Sequence, residues 1–480
     1  MTSGRTRRID PLRGPALARV TALASLVALA ACGGAESGTA GDAASADDDG
    51  TSASSADDGV TTANTSPASD GTAGTTTLDD GDSTGHASAS DSGGSTGDPP
   101  PLDPCVEAGN CPYDAWIARE LPGFTAPDTV QTVLVDPARP SDFYAFVGSN
   151  GGPTIKVYRS TDFGDTWENR NTTAEITGNP WGASIDPNPN RDPDTPPTMW
   201  SPSGYGAVGA WKSTDGGVTW ERSTAADTAF ANQNPFGPAL TDLYHIQILP
   251  DDPPHHVLAT YHYGFKDLPD GGFGETTDGG ASWVVHMPPD GIGTSHYVIP
   301  ISATTWAVIA QDNGGTNGIW RTTTAGRVDG EISTAAWTKV DDLEHAHGSH
   351  QNVITADGTI FATGNNNGAR SLDDGATWEH FTMGSWAGEH QFEGSNMTNI
   401  AATERYLYTS YLSYPDLARA PIDAPIGAEA WDVAYCETPA EMHEGGAPFG
   451  MAVSYDPSLL AYVIVSGTYG SGIWKYIERP

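Results

Sequence analysis

Short runs of alternating apolar and polar residues fill the chain from about residue 113 onward, and turn-forming residues separate them. In the first unit, the runs 130–136, 143–148 and 155–160 have the length and alternation of half-buried strands. Asp136 and Pro137 mark a turn between the first two runs, and Trp167 begins a fourth strand. The pattern therefore predicts a four-stranded antiparallel unit, which recurs along the rest of the chain.

One eight-residue segment precedes the fourth strand and recurs with the same spacing of residue types. It reads Ser/Thr-x-Asp-x-Gly-x-Thr/Ser-Trp at 160–167, 213–220, 276–283 and 371–378. In a hairpin turn the Asp accepts backbone amides, the Gly takes a positive φ, and the Trp brings a large apolar area to bury. We call this eight-residue segment the box and interpret its aspartates as structural: Asp162, Asp215, Asp278 and Asp373.

This segment resembles the Asp-box, or BNR repeat, of sialidase-like β-propellers, and the resemblance implies that each unit is one blade. Blades two, three and five are expected at about 178–224, 240–287 and 348–384. A degenerate unit that ends at Trp337 is blade four, and the region 395–436, which also lacks the box, is blade six.

The last unit stops one strand short of a complete blade, because it contains only the runs 451–455, 462–467 and 472–476. The segment 116–122 has the pattern of the missing outer strand, and its addition closes the ring and removes exposed sheet edges. The predicted fold class is therefore all-β: a single seven-bladed β-propeller of four-stranded antiparallel blades over 105–480, closed by an N-terminal strand.

The N-terminal segment carries a different signal. Arginines precede a short apolar stretch that ends in Leu29-Ala30-Ala31-Cys32, which resembles a bacterial lipobox. The resemblance implies a signal peptide over 1–31, lipidation of Cys32, and, with Gly33 next, an outer-membrane lipoprotein that faces the periplasm or the cell surface. Residues 33–104 contain 14 acidic and no basic residues and little to bury, so 32–104 is expected to be the lipidated Cys followed by a disordered acidic tether.

The chain is strongly acidic, with 61 Asp and Glu against 22 Lys and Arg and a net charge of −39. Nucleic acid is therefore excluded as a partner, because phosphate contacts need clustered basic residues. The expected partners are the membrane, through the lipid anchor, and a glycan or protein ligand, and the propeller is expected to be a monomer. In an oxidising compartment, strand directions favour pairing of Cys105 with Cys111, which leaves Cys436 as a free thiol.

Three histidines lie at the start of the innermost strands of blades three, four and five. They are His245, His296 and His350, and His347 lies nearby. Converging imidazoles suit Zn, Cu, Mn or Fe, and unliganded imidazoles transfer protons, so the three are candidate catalytic residues and all four are candidate metal ligands. The alternative is a polar channel lined by hydrogen bonds and water.

The loop between the first two strands of blade two carries oxygen side chains at every second position, which resembles a Ca²⁺ loop. They are Asp186, Asn188, Asn190, Asp192 and Asp194. The loop lacks the Gly and Glu of such a motif, and a Pro-stiffened acidic turn is the alternative interpretation.

Aromatic side chains on the same face as the histidines are candidate platforms for sugar rings: Trp181, Tyr244, Tyr261, Tyr263, Tyr297 and Trp386. The alternative is that about half of them pack between blades. The chain has no Arg-Ile-Pro motif and its few arginines are on the other face, so sialidase activity is not expected. Xyloglucan-cleaving relatives with similar boxes place their site between two propellers.

Two functions remain open. The first is a surface-anchored binding module for glycan or protein. The second is a metal- or His-dependent carbohydrate-active enzyme, a lyase or a glycoside hydrolase, with its site at the channel mouth.

Overall fold

The structure is a computed structural model. It describes residues 100–148, 154–172, 176–204, 209–230, 243–261, 273–286, 295–310, 318–343, 352–364, 367–381, 397–411, 417–427, 431–433, 439–443 and 448–480. No helix within these ranges is long and apolar enough to cross a membrane. The predicted signal peptide, Cys32 and most of the predicted tether lie outside them.

The first strand, β1 (Trp116–Arg119), follows a short helix, α1 (Pro104–Ala108). Three blades of four antiparallel strands come next, and in each blade sequence order runs from the innermost to the outermost strand. Blade one contains β2 (Thr129–Asp136), β3 (Arg139–Gly148), β4 (Lys156–Ser160) and β5 (Glu168–Asn169). Blade two contains β6 (Ser184–Ile185), β7 (Met199–Ser201), β8 (Trp211–Ser213) and β9 (Glu221–Arg222), and α2 (Thr224–Phe230) follows it. Blade three contains β10 (Leu243–Ile248), β11 (Val257–Tyr261), β12 (Phe273–Thr276) and β13 (Val284–His286).

Blade four differs from the others by an insertion before its outer strand. It contains β14 (Ser295–Pro300), β15 (Trp306–Ala310), β16 (Gly318–Thr322), a hairpin of β17 (Arg327–Val328) and β18 (Glu331–Ile332), a 3-10 turn (Thr334–Ala336) and β19 (Thr338–Asp341). Blade five contains β20 (Asn352–Ile354), β21 (Ile360–Thr363), β22 (Gly368–Ser371) and β23 (Glu379–Phe381). Blade six contains β24 (Met397–Ala402), β25 (Tyr406–Tyr411), β26 (Leu417–Pro421) and β27 (Asp432–Val433), and α3 (Ala440–His443) follows it.

Blade seven is completed from the other end of the chain. Its strands are β28 (Pro448–Asp456), β29 (Ala461–Thr468), β30 (Ile473–Ile477) and, outermost, β1. Trp116 pairs with Tyr476 and Arg119 with Ile473 along the β1–β30 ladder, and the Trp116 and Tyr476 ring centroids are 5.1 Å apart. Seven four-stranded antiparallel blades with closure by the N-terminal strand confirm the predicted fold class.

The hydrophobic core lies in layers between neighbouring blades. Phe146 of blade one contacts Trp220 of blade two edge to face at 5.9 Å, and Trp200 of blade two meets Trp283 of blade three at 5.8 Å. The tryptophan that ends each box thus fills the space against the preceding blade. Burying a large side chain is worth about 1.5–3 kcal/mol, so each interface adds appreciably to the stability of the ring.

The four boxes share one hydrogen-bond pattern. In the first, the Ser160 hydroxyl donates to Asp162 and accepts the Gly164 amide, at 2.7 and 2.8 Å, and Asp162 accepts the amide and hydroxyl of Thr166 at 2.8 and 2.6 Å. The same contacts recur around Asp215, Asp278 and Asp373. Hydrogen bonds from Ser282 lower the pKa of Asp278 to about 2. These contacts stabilise the turn. In blade four the position of the box aspartate is occupied by Thr324, and the Thr322 hydroxyl still accepts the amides of Thr324 and Gly326.

Candidate functional site

The inner strands surround a channel with a cavity of about 510 Å³. Val133, Ile248 and Met451 are among its apolar lining residues, and Thr132, Ser184, His245 and Gln247 contribute polar side chains. The described part of the channel wall therefore presents both apolar and polar surface.

An aromatic cluster joins three blades where the inner strands begin. The Trp181 ring lies 5.0 Å from that of Tyr244 in blade three and 5.6 Å from that of Phe449 in blade seven. Trp181 also lines the channel, and its exposed fraction is 6%. Tyr244 is 0% exposed, so its ring has no face open to a ligand.

Tyr297 is likewise fully buried, and burial raises the pKa of its hydroxyl. For Trp181, Tyr244 and Tyr297 the expectation of an exposed stacking platform is not met, because each ring is taken up by packing inside the propeller. The backbone of Tyr261 lies in β11. Its side chain, together with all of Tyr263 and Trp386, lies outside the described residues.

His245 is held in the channel wall with an exposed fraction of 1%. Its Nε2 lies 2.7 Å from the amide nitrogen of Gln247, and its ring packs edge to face on Tyr297 at 5.3 Å. An amide nitrogen only donates, so Nε2 is the acceptor in this contact. The lone pair that a metal ion would need on Nε2 is already engaged.

Strand register separates His245 from its expected counterpart. The ladder between β10 and β11 has a bulge at Tyr244, so His245 is the first residue after the bulge. In β14 the bulge residue is His296 itself, and Tyr297 follows it. His296 therefore corresponds to Tyr244, and the expectation that His245 and His296 occupy equivalent positions is wrong by one residue.

The other candidate ligands of a transition metal are not described. The side chain of His296 and all of His347 and His350 lie outside the described residues. Within the described ranges, three potential ligand side chains approach closely enough for one ion only at Asp103, Cys105 and Cys111. The two sulfurs there form a disulfide with each other, which leaves no thiolate to bind an ion. Cys436 lies outside the described residues.

The acidic loop of blade two contains its own cation. The Arg191 guanidinium lies 2.5 Å from Asp136 and 3.7 Å from Asp186, and its side chain is 8% exposed. Asp186, Asn188 and Asp192 each accept a backbone amide two residues ahead, at 2.9 Å. The oxygens expected to bind Ca²⁺ therefore stabilise the turn, and Asp186 also faces a guanidinium.

A buried ionic cluster between blades three and four is the main polar site that the sequence did not indicate. Glu275, 2% exposed, contacts His256 at 3.0 Å, His286 at 2.7 Å and the guanidinium of Arg327, and Asp251 lies 3.2 Å from His256. Burial raises the pKa of Glu275, but hydrogen bonds from its three partners outweigh this and hold the pKa well below its usual range. Arg327 comes from the hairpin inserted in blade four, which the sequence pattern does not predict.

No protein family model matches the sequence. A xyloglucanase from a Paenibacillus species is 27% identical over 238 residues, which are 45% of this chain and 21% of that protein. The chain thus spans about a fifth of the length of this relative. Among solved structures, YCF48 bound to D1 peptide superposes on this chain with a TM-score of 0.43 and 16% sequence identity. The superposition covers 80% of this chain and 100% of the YCF48 chain. The GH74 xyloglucanase from Xanthomonas campestris superposes with a TM-score of 0.48 and 17% sequence identity. That superposition covers 75% of this chain and 53% of the xyloglucanase chain.

Proposed function

We propose that this chain is a carbohydrate-binding β-propeller. The observation that carries the proposal is the 27% identity to a xyloglucanase over 238 residues. A closed ring of seven blades is a rigid support that positions binding side chains in its turns. The acidic surface favours a neutral glycan over an acidic one, since like charges repel across a contact.

Binding is the first candidate, because the described residues form a closed ring whose turns can hold a ligand. Hydrolysis is the second candidate, favoured by the activity named for the Paenibacillus relative. It predicts new reducing ends when xyloglucan is incubated with the protein, and loss of that activity in chelator if a metal takes part.

We propose further that Cys32 is lipidated and that the acidic segment after it holds the propeller away from an outer membrane. The support is the sequence Leu29-Ala30-Ala31-Cys32 and the absence of basic residues over 33–104. Mass spectrometry of the mature N-terminus tests the anchor: an unmodified Cys32, or cleavage at another residue, contradicts it.

The binding function is tested with the full chain in detergent and an array of neutral and acidic polysaccharides, followed by titration calorimetry. We expect saturable binding to xyloglucan or a related neutral β-glucan and none to polygalacturonate. Absence of binding to every glycan contradicts the proposal.

A further inference from the structure

A groove crosses the face of the propeller that carries the box turns, opposite the aromatic cluster of Trp181. Two cavities of about 700 and 620 Å³ form it, and they share Ala402 and Tyr462. Turns of blades five, six, seven and one contribute the walls, and all lining residues lie within the described ranges. We call this surface the box-face groove, and its lining residues include Ile354, Asp357, Leu372, Glu404, Tyr455 and Tyr462.

The groove presents apolar surface that the fold does not bury. Tyr455 is 44% exposed, Ile354 is 41% exposed and Leu372 is 66% exposed. The Tyr455 ring meets Tyr462 edge to face at 5.3 Å, so a second ring holds it in place while much of its surface remains open. A supported and exposed aromatic ring is the kind of surface on which a sugar ring stacks.

Carboxylates alternate with this apolar surface. The Tyr462 hydroxyl lies beside Glu404, and burial together with that negative charge raises the pKa of Tyr462. Asp357 is exposed and accepts the amide of Thr359 at 3.1 Å, which fixes its position in the turn. Carboxylates only accept hydrogen bonds when ionised, so both are suited to a ligand that is rich in hydroxyl donors.

The one arginine in the groove is already engaged. Arg370 contacts Glu379 at 2.6 Å and donates to the backbone carbonyl of Asp423 at 2.8 Å. Among the described lining residues no other cation balances Glu404 and Asp357. A uronate or sulfated chain would therefore be repelled, whereas an uncharged chain would not.

We propose that the box-face groove binds a neutral polysaccharide chain, whose sugar rings stack on Tyr455 and the neighbouring aliphatic side chains while hydroxyls donate to Glu404 and Asp357. The assignment rests on the proposed carbohydrate-binding function and gives it a location. It places the ligand on the opposite face from the one to which the histidine pattern points.

The test uses the full chain and titration calorimetry with xyloglucan and cello-oligosaccharides as neutral probes and oligogalacturonate as the acidic probe. Tyr455→Ala should raise the Kd for the neutral probe at least about tenfold, and Tyr455→Phe, which keeps the ring, should stay within about twofold. Glu404→Gln should raise the Kd about tenfold by removing a charged acceptor. Val328→Ala and Glu331→Gln, exposed positions on the blade-four hairpin, are matched controls and should bind as wild type.

The outcomes separate the two proposals. If the wild type binds no neutral probe, the carbohydrate-binding function itself fails. If the wild type binds but Tyr455→Ala and Glu404→Gln bind equally well, the function stands and the groove is not the site. Equal affinity for oligogalacturonate contradicts the charge argument. Loss of binding to a basic, Leu-rich peptide in Tyr455→Ala, with glycan binding unchanged, assigns the groove to a protein partner instead. Thermal melting of each variant checks that the fold is intact.

Discussion

Glu275 shows how one side chain couples two blades. It comes from β12 of blade three, and its partner Arg327 comes from the hairpin inserted in blade four. His286, on the outer strand of blade three, also stacks on Phe273 with the rings 4.8 Å apart and parallel within 2°. Three hydrogen-bond donors stabilise the ionised form of this buried carboxylate. In turn, the negative charge offsets the cost of burying the three donors, so its removal leaves them without a charged partner.

We predict that Glu275→Gln lowers the free energy of unfolding by about 3 kcal/mol, because it leaves His256, His286 and Arg327 near a neutral amide. Chemical denaturation with the midpoint and slope measured for both proteins tests this. Glu331→Gln is the control, since that glutamate is exposed on the same inserted hairpin. A Glu275→Gln protein as stable as the control would show that the cluster contributes little.

The protonation of His256 should make stability depend on pH. Burial lowers the pKa of His256, but hydrogen bonds to Glu275 and Asp251 outweigh this and raise it above the usual 6.5. A group whose pKa is raised on folding stabilises the fold fully below its unfolded pKa, and this stabilisation is lost as pH rises through the folded pKa. We therefore expect the free energy of unfolding to decrease as the pH rises from the unfolded-state value of about 6.5 through the raised pKa of His256.

His256→Gln should reduce that decrease, because it removes the titrating group while keeping a donor toward Glu275. His380, whose pKa is raised by a hydrogen bond to Asp341, adds a similar dependence and is present in both proteins. The measured quantity is therefore the difference in slope between wild type and His256→Gln over the same pH range. Parallel curves for the two proteins would contradict the assignment.

These residues mark the limit of sequence reasoning at the scale of single side chains. Glu275 and His286 lie on paired strands of one blade, but Arg327 is 52 residues away from Glu275 in the next blade, and nothing in the strand pattern places it beside them. The histidines at the inner strands follow an apparent repeat, but His245 comes directly after the bulge of its strand, whereas His296 is the bulge residue of its own strand. A one-residue slip exchanges the two faces of a strand and cannot be read from spacing alone.

At the scale of elements, turn chemistry is the most predictable part of the chain. Each complete box has an Asp, a Gly with positive φ and a buried or half-buried Trp, and φ reaches +94° at Gly280. A Cβ on Gly280 would lie 2.6 Å from the Trp200 ring of blade two, so both conformation and close packing require glycine there. The acidic loop between β6 and β7 has an ambiguous sequence, because oxygen side chains at alternate positions suit both a Ca²⁺ site and a series of turns in which each side chain accepts a backbone amide.

We predict that this loop is stabilised by Arg191 and not by calcium. Arg191→Ala should lower the free energy of unfolding by about 2–3 kcal/mol, because Asp136, fully buried, loses its closest cation. A chelator should leave the melting temperature of the wild type unchanged.

Asp194→Asn is the matched control for this loop, since Asp194 is exposed and belongs to the predicted ligand set. Its melting temperature should equal that of the wild type in the presence and in the absence of Ca²⁺. A melting temperature that rises with added Ca²⁺ in wild type but not in Asp194→Asn would instead establish the calcium site.

At the scale of the whole molecule, the seven repeats and their closure follow from the sequence because each blade buries its faces only against its neighbours. The spacing of the strands is enough to predict the number of blades. The strand missing from the final unit is enough to predict that residues 116–119 form the last outer strand. The box-face groove did not follow, because its walls are turns from four blades and their approach depends on the curvature of the ring.

Closure should contribute strongly to the stability of the entire ring. Trp116 is 6% exposed and packs in a cluster with Tyr408, Tyr476 and Trp474, so β1 secures blade seven against blade six as well as completing its sheet. Without β1, the free edge of β30 would offer unpaired backbone groups to another chain. Two deletions separate this effect from that of the tether: removal of 33–99 keeps β1, and removal of 33–119 takes it away.

We predict that the protein with the shorter deletion has the melting temperature of the wild type. The protein with the longer deletion should melt at least about 5 °C lower and should self-associate. Calorimetry measures the melting temperature, and light scattering at several protein concentrations measures association. Because β1 completes the sheet of blade seven and also packs against blade six, the loss should appear as lower stability of one cooperative transition, not as melting of blade seven alone. A monomeric protein with an unchanged transition after removal of 33–119 would mean that contacts between blades hold the ring closed without the shared strand.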